Sequence, residues 1–170
     1  STNTGVVEAG SGLELNLYYD RNTYPYLFKF VDSTTGKEMG EDVSGVARYQ
    51  AQVTEKAKQF PGYTCVSGDQ QTISIAIESP ATDKNLRIFY YEETQVTIHY
   101  VAVTEDGGSV SLSDETIGVL TGAPNGSTPT AKSDYVFVGW YTDEECALPV
   151  NSKWVDSAGK IVPEKSVNLG

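Results

Sequence analysis

The sequence predicts a β-rich α+β fold built as two small modules in tandem, and three observations carry that expectation. Residues 86–100 read as two strands with almost no loop between them: Leu86-Arg87-Ile88-Phe89-Tyr90-Tyr91 runs through Glu92-Glu93-Thr94-Gln95 into Val96-Thr97-Ile98-His99-Tyr100. Shifted back by 72 residues, that stretch has an echo. Leu17-Tyr18-Tyr19-Asp20 answers Phe89-Tyr90-Tyr91-Glu92, and Tyr24, Tyr26 and Phe28 answer Val96, Ile98 and Tyr100. A fixed period of this kind marks a tandem array, in which the strand closing one module feeds the strand opening the next. The third observation is a single stretch with helix signals, residues 55–60, behind the capping hydroxyl of Thr54 and with Glu55 complementing the dipole.

Taken in order, residues 1–12 are small and polar and read as a lead-in. Leu13, Leu15 and Leu17 alternate with Glu14 and Asn16, a half-buried strand pattern that ends the preceding module, so residues 1–22 form a lead-in and a closing strand. The first complete module, residues 23–93, opens with Tyr24, Tyr26, Phe28 and Phe30 on one face of a strand. Asp32-Ser33-Thr34-Thr35-Gly36-Lys37 is a turn in which Gly36 supplies positive φ. Residues 46–53 read as a strand, the helix follows, and Pro61-Gly62 stops it. Residues 63–66 and the Ile73, Ile75, Ile77 alternation give two more strands about the turn Ser67-Gly68-Asp69. Residues 80–84 are loop before the closing strand.

The second module, residues 94–170, repeats the plan. Val96, Ile98, Tyr100 and Ala102 share a strand face, and Asp106-Gly107-Gly108 forms the turn, with Gly108 at the Gly36 position. Residues 110–119 read as a broken strand, 122–133 as loop, 135–141 as a strand and 142–149 as a turn. Val167-Asn168-Leu169, the counterpart of Leu15-Asn16-Leu17, looks like the start of one further strand, so this module's last strand is expected to be truncated.

Composition excludes several partner classes. Lys and Arg number 12 against 23 Asp and Glu, a formal net charge of −11. Such a surface repels phosphate backbones and anionic headgroups, so neither nucleic acid nor membrane is an expected partner. No apolar stretch of 18 residues exists to cross a bilayer. The absence of a signal peptide and initiator Met fits an excised piece of a longer protein. Cys65 and Cys146 fall one to each module, too few for a disulfide framework or a zinc quartet, and both read as small buried hydrophobes.

Two motifs carry a resemblance. Phe30, Val31, Asp32, Gly36 and Lys37, with Phe60-Pro61-Gly62-Tyr63 and Phe89-Tyr90-Tyr91, resemble the mucin-binding (MucBP-like) repeat of Gram-positive surface adhesins over most of residues 23–93. Phe137-Val138-Gly139-Trp140-Tyr141-Thr142-Asp143, with Cys146 and Pro149, resembles the internalin-type B repeat (the Listeria-Bacteroides repeat) over residues 95–169. The resemblance implies β-grasp (ubiquitin-like) modules, a mixed sheet wrapping a short helix or loop, set in an elongated rod on a secreted, cell-wall-attached protein at the bacterial cell surface. It implies a spacer that in some members also binds host mucin glycans or host surface proteins, beside adjacent repeat modules of the parent chain. The alternative is a purely structural stalk with no ligand of its own.

No catalytic constellation, cofactor motif or metal-ligand pattern is expected, and neither is enzymatic activity. A lone histidine assembles no triad, and Asp143-Glu144-Glu145 lacks the alternating oxygen ligands of a calcium loop. The candidate ligand contacts are Tyr91, His99 and Trp154. Tyr90 and Tyr91 must face opposite sides of their strand, one toward the core and one toward an open face or junction. His99 reads as a half-exposed strand residue, Trp140 and Tyr141 as core or corner residues, and Trp154 as an exposed or lid-like aromatic.

Overall fold

The computed structural model describes residues 10, 14–104 and 106–164 of the chain. The first strands are β1 (Thr23–Asp32), β2 (Val43–Arg48), β3 (Gln52–Lys56), β4 (Tyr63–Cys65), β5 (Gln70–Ser74) and β6 (Leu86–Glu93). They make a mixed four-stranded sheet in the order β2-β1-β6-β4, with the parallel pair β1–β6 in its middle and antiparallel strands on both sides. β3 and β5 form a separate antiparallel ribbon.

The alternating aromatics of β1 decide which face is buried. Phe28 and Phe30 join Phe89 and Tyr91 of β6, and Ile73 and Ile75 from the ribbon close over them; none of the six is more than 1% exposed. Phe30 stacks on Phe89 with ring centroids 5.3 Å apart, and Phe60 meets Tyr91 edge-on at 4.9 Å, the offset and edge geometries that aromatic quadrupoles favour. The turn after β1 is as expected: Asp32 Oδ1 accepts the amides of Thr34 and Thr35, and Gly36 has φ +71°. Those amide bonds, Thr35's foremost, hold the Asp32 carboxyl below its ordinary pKa.

The expected helix at residues 55–60 does not form. Glu55 and Lys56 lie in β3, opposite Gln71 and Gln70 of β5, and the Thr54 hydroxyl bonds the Thr72 hydroxyl at 2.8 Å across the ribbon instead of capping amides. Six residues are too few to repay helix nucleation, whereas β5 offers a ready ladder, and cross-strand threonines suit it. No α-helix is present among the described residues, so the fold is β-rich and the α+β label is not supported. The expected 46–53 strand is two strands, β2 and β3, broken at Tyr49 and Gln50, where Gln50 has φ 64° and Ala51 N donates to Arg48 O.

The later strands are β7 (Gln95–His99), β8 (Gly108–Val110), β9 (Asp114–Gly118) and β10 (Pro129–Ala131), followed by a 3-10 turn at Ser152–Trp154. β7 pairs with β9, and β8 with β10, both antiparallel. Several expectations fail here. Residues 135–141 form no strand: only Tyr141 bridges Pro149, and Val136 and Val138 stand 81% exposed. The stretch expected as loop contains β10. Gly108 is in β8, where a Cβ would press on the carbonyl of Thr130, so close strand approach and not positive φ requires it. Residues 14–22 make no strand, and Leu15, Leu17, Tyr18 and Tyr19 are all exposed. Val167-Asn168-Leu169 lies outside the described residues.

Candidate functional site

Beyond the core, β6 and β7 meet in a short, densely hydrogen-bonded splice. Only Thr94 separates Glu93, which ends β6, from Gln95, which begins β7. Thr94 donates its amide to Gly62 O and accepts the amide of Val119 on its carbonyl, both at 2.9 Å, and its hydroxyl bonds that of Thr64. One residue is thus tied at once to β4's side and to the segment after β9. Glu93 adds a carboxylate clamp. Oε1 accepts the amides of Leu120 and Thr121, and Oε2 accepts the Thr121 hydroxyl at 2.6 Å. Hydrogen bonds to an ionised acceptor are shorter and stronger than neutral ones, which suits a joint.

Two glycines make room for the clamp. Gly62 has φ +78°, and a Cβ there would lie 2.7 Å from the Leu120 side chain. A Cβ at Gly118 would run into the Glu93 carboxylate. Glycine's missing side chain is what lets the turn before β4 seat directly on Leu120.

The structure does not gather the three expected contact residues. Tyr91 is 1% exposed and its hydroxyl donates to Lys58 O at 2.9 Å, so it is a core residue and cannot meet a ligand. Burial is the main reason its phenol is pushed up to about 12. Tyr90 is the exposed member of the pair. On the outward face it stands beside Val31, while Ile88 sits beside Lys29. His99 is an exposed strand residue whose Nδ1 meets Asp114; the Ser113 hydroxyl first, and then His99, lower the pKa of that carboxyl. Trp154 is half-buried in the 3-10 turn, with its indole N–H toward Glu164 at 3.5 Å.

Trp140 donates to Gly159 O at 2.9 Å and meets Tyr100 and Phe137 edge-on. Cys65 is half-buried, but Cys146 is exposed at φ 54° in the loop after Tyr141, which corrects its reading as a buried hydrophobe. A groove of about 370 Å³ runs between residues 101–104 and 135–140, with β8 and β10 alongside. Beneath this half, Glu115 is 8% exposed and accepts from Tyr100 Oη at 2.6 Å and from the amides of Asn125 and Gly126. Burial pushes its pKa up, but those donors together outweigh it and hold the carboxyl below its ordinary value. The same burial and the Glu115 bond raise the Tyr100 phenol.

Sequence reasoning placed the joint at Glu92-Glu93-Thr94 but missed its partners Leu120 and Thr121, and it took Gly62 for a helix stop. Among the described residues no cluster of three or more metal-ligating side chains occurs, and no helix is long and apolar enough to cross a membrane. No protein-family model, curated protein or solved structure matches the chain.

Proposed function

We propose that this chain is part of the repeat region of a bacterial cell-surface adhesin, extracellular and held to the wall through its parent, in which two β-grasp-like modules act as a stiff spacer. The observation that carries this reading is the splice. A one-residue connection clamped by Glu93 to Leu120 and Thr121, and by Thr94 to Gly62 and Val119, leaves little freedom between the strands it joins. A spacer needs that property, and a flexible tether lacks it. The mixed sheet with a central parallel pair also supports the β-grasp reading of residues 23–93.

The aromatics favour spacer over binder. Phe28, Phe30, Phe89 and Tyr91 are all spent on the core. One observation keeps a second reading: Tyr90 is 43% exposed on an outward face with Val31 and Ile88, an amphipathic surface suited to a pyranose or a host protein. Small-angle scattering tests the first reading. An extended particle whose dimensions hold steady with ionic strength is expected, and a compact or broadly variable one overturns it. Binding to immobilised mucin that Tyr90→Ala removes would establish the second.

A further inference from the structure

We infer that residues 14–19 of one copy add as a parallel strand to residues 99–104 of a second copy, in the groove beside Trp140, so that copies join head to tail. The donor is an apolar stretch left in solvent. Leu15, Leu17, Tyr18 and Tyr19 are each between 78% and 83% exposed, and they belong to no strand although they follow a strand's alternation. The acceptor is an open slot. Val101, Ala102 and Val103 make no backbone–backbone hydrogen bond among the described residues, and neither do residues 136–139 on the far side of the groove. Val101 is 69% and Val103 54% exposed, and no charged side chain lines the groove among the described residues.

The first sheet supplies the register. There residues 86–91 of β6 lie parallel to residues 27–32 of β1. Shifted by 72, back for β6 and forward for β1, these become residues 14–19 and 99–104. Leu15 then falls beside Tyr100 and Leu17 beside Ala102, the positions that answer Phe28 and Phe30 of the core. Asn16 and Tyr18 turn outward with the exposed Val101 and Val103. Glu14, the one charge on the segment, lands beside His99. Hydrogen-bond parity agrees. Leu27 N donates to Asn85 O, on the β6 side, so its counterpart His99, and by alternation Val101 and Val103, aim their amides at the open edge. Tyr100 N donates the other way, to Ser113 O beside β9. Backbone donors above an apolar groove accept an added strand.

Geometry assigns the segment to a second copy. β1 starts at Thr23, at the end of the first sheet away from the splice. Nine steps along β1 to Asp32, beside Tyr91, and two more along β6 to Glu93 span roughly 35 Å at about 3.3 Å per residue. Tyr19 precedes Thr23 by four residues, which reach only roughly 14 Å. A second copy's groove carries no such limit. Donor and acceptor are then different surfaces, so each contact is heterologous and leaves a segment free at one end and a groove at the other. The −11 charge of each copy opposes approach at long range, but physiological salt screens it beyond about 8 Å and the contact itself is apolar. A flexible splice would leave this contact unchanged.

Sedimentation velocity on the full chain at physiological ionic strength tests the inference in wild type, Leu17→Asp and Val103→Pro. The first variant spoils only the donor and the second removes only an edge amide, both at exposed positions. The wild-type mass should rise with concentration past that of a dimer, and each variant alone should associate at least about tenfold more weakly. An equimolar mixture of the two variants pairs the intact groove of one with the intact segment of the other, and should give a dimer and nothing larger. Amide exchange at Val101 and Val103, followed by NMR, should be at least about tenfold slower in associated wild type than in Leu17→Asp. The β1 and β6 amides, protected in every sample, show that the chain is folded. A wild-type chain that stays monomeric up to about 1 mM would overturn the inference. So would Leu17→Asp associating like wild type, a mixture no larger than its parts, or Val101 and Val103 amides protected in the monomer, which would assign the edge to a strand of the same copy.

Discussion

The carboxylate of Glu93, the last residue of β6, accepts the backbone amide of Leu120, and the side chain of Leu120 sits against the bare Cα of Gly62. A charge, an amide and an absent side chain thus fasten the end of one sheet to the segment after β9.

Replacing Glu93 by Ala removes one acceptor from two amides and a hydroxyl. Water reaches exposed Thr121, so the cost should fall at the lower end of the usual range for a lost charged acceptor, about 1–3 kcal/mol. Chemical denaturation should show it, and a midpoint equal to wild type would mean the clamp contributes nothing.

Gly62→Ala and Gly36→Ala separate two roles of glycine. Both residues have positive φ, but a Cβ meets nothing within 4 Å at Gly36 and overlaps Leu120 at Gly62. Strain alone should cost Gly36→Ala about 1 kcal/mol. Gly62→Ala should cost clearly more, about 2–4 kcal/mol, because overpacking adds to strain. Equal losses would show that Leu120 moves aside freely.

The buried and exposed tyrosines of β6 should respond differently to loss of a hydroxyl. Tyr91→Phe leaves Lys58 O without its donor and should lower stability by about 1 kcal/mol, whereas Tyr90→Phe should lie within about 0.5 kcal/mol of wild type. Phe89→Ala, in the stacked pair with Phe30, should cost about 3–5 kcal/mol. Thermal melts of the three variants check the order.

Glu115 sets an acid limit on the second half. Its folded pKa lies below the ordinary 4.5, so the stability it contributes is complete above 4.5 and is lost as pH falls through the folded value. Asp32 and Asp114 are lowered in the same direction. Stability should therefore decline below pH 4.5, and Glu115→Gln should flatten that decline while lowering stability at neutral pH, since an amide cannot accept from Tyr100, Asn125 and Gly126 together. An unchanged slope in the variant would remove Glu115 from the account.

Part of the first sheet was legible because period-two aromatics leave one solution for β1, with Phe28 and Phe30 on one face; on β6 the pattern left open which of Tyr90 and Tyr91 turns inward, and Tyr91, expected as a ligand contact, is the core residue. The turn at Asp32 and Gly36 was legible for a similar reason, since local chemistry decides it. Residues 54–56 were not, because a threonine ahead of Glu55 satisfies both a cap and a cross-strand pair, and only the presence of β5 decides between them. Residues 135–141 carry a strand pattern, but only their last two residues find a described backbone partner across the following turn, Trp140 with Val150 and Tyr141 with Pro149, and pattern alone cannot supply the rest of a ladder. The clamp was half legible. The sequence placed two strands end to end about Glu93, but the acceptor role of Glu93 depends on Leu120 and Thr121, more than 25 residues away in sequence.

A spacer built on this splice requires the strands on either side to tumble as one body. Backbone 15N relaxation on the full chain tests it most directly, comparing amides of β1 and β6 with those of β7 and β9. One rotational diffusion tensor should fit both sets in wild type, and two should be needed in Glu93→Ala. Two separate tensors in the wild-type chain would contradict the spacer reading.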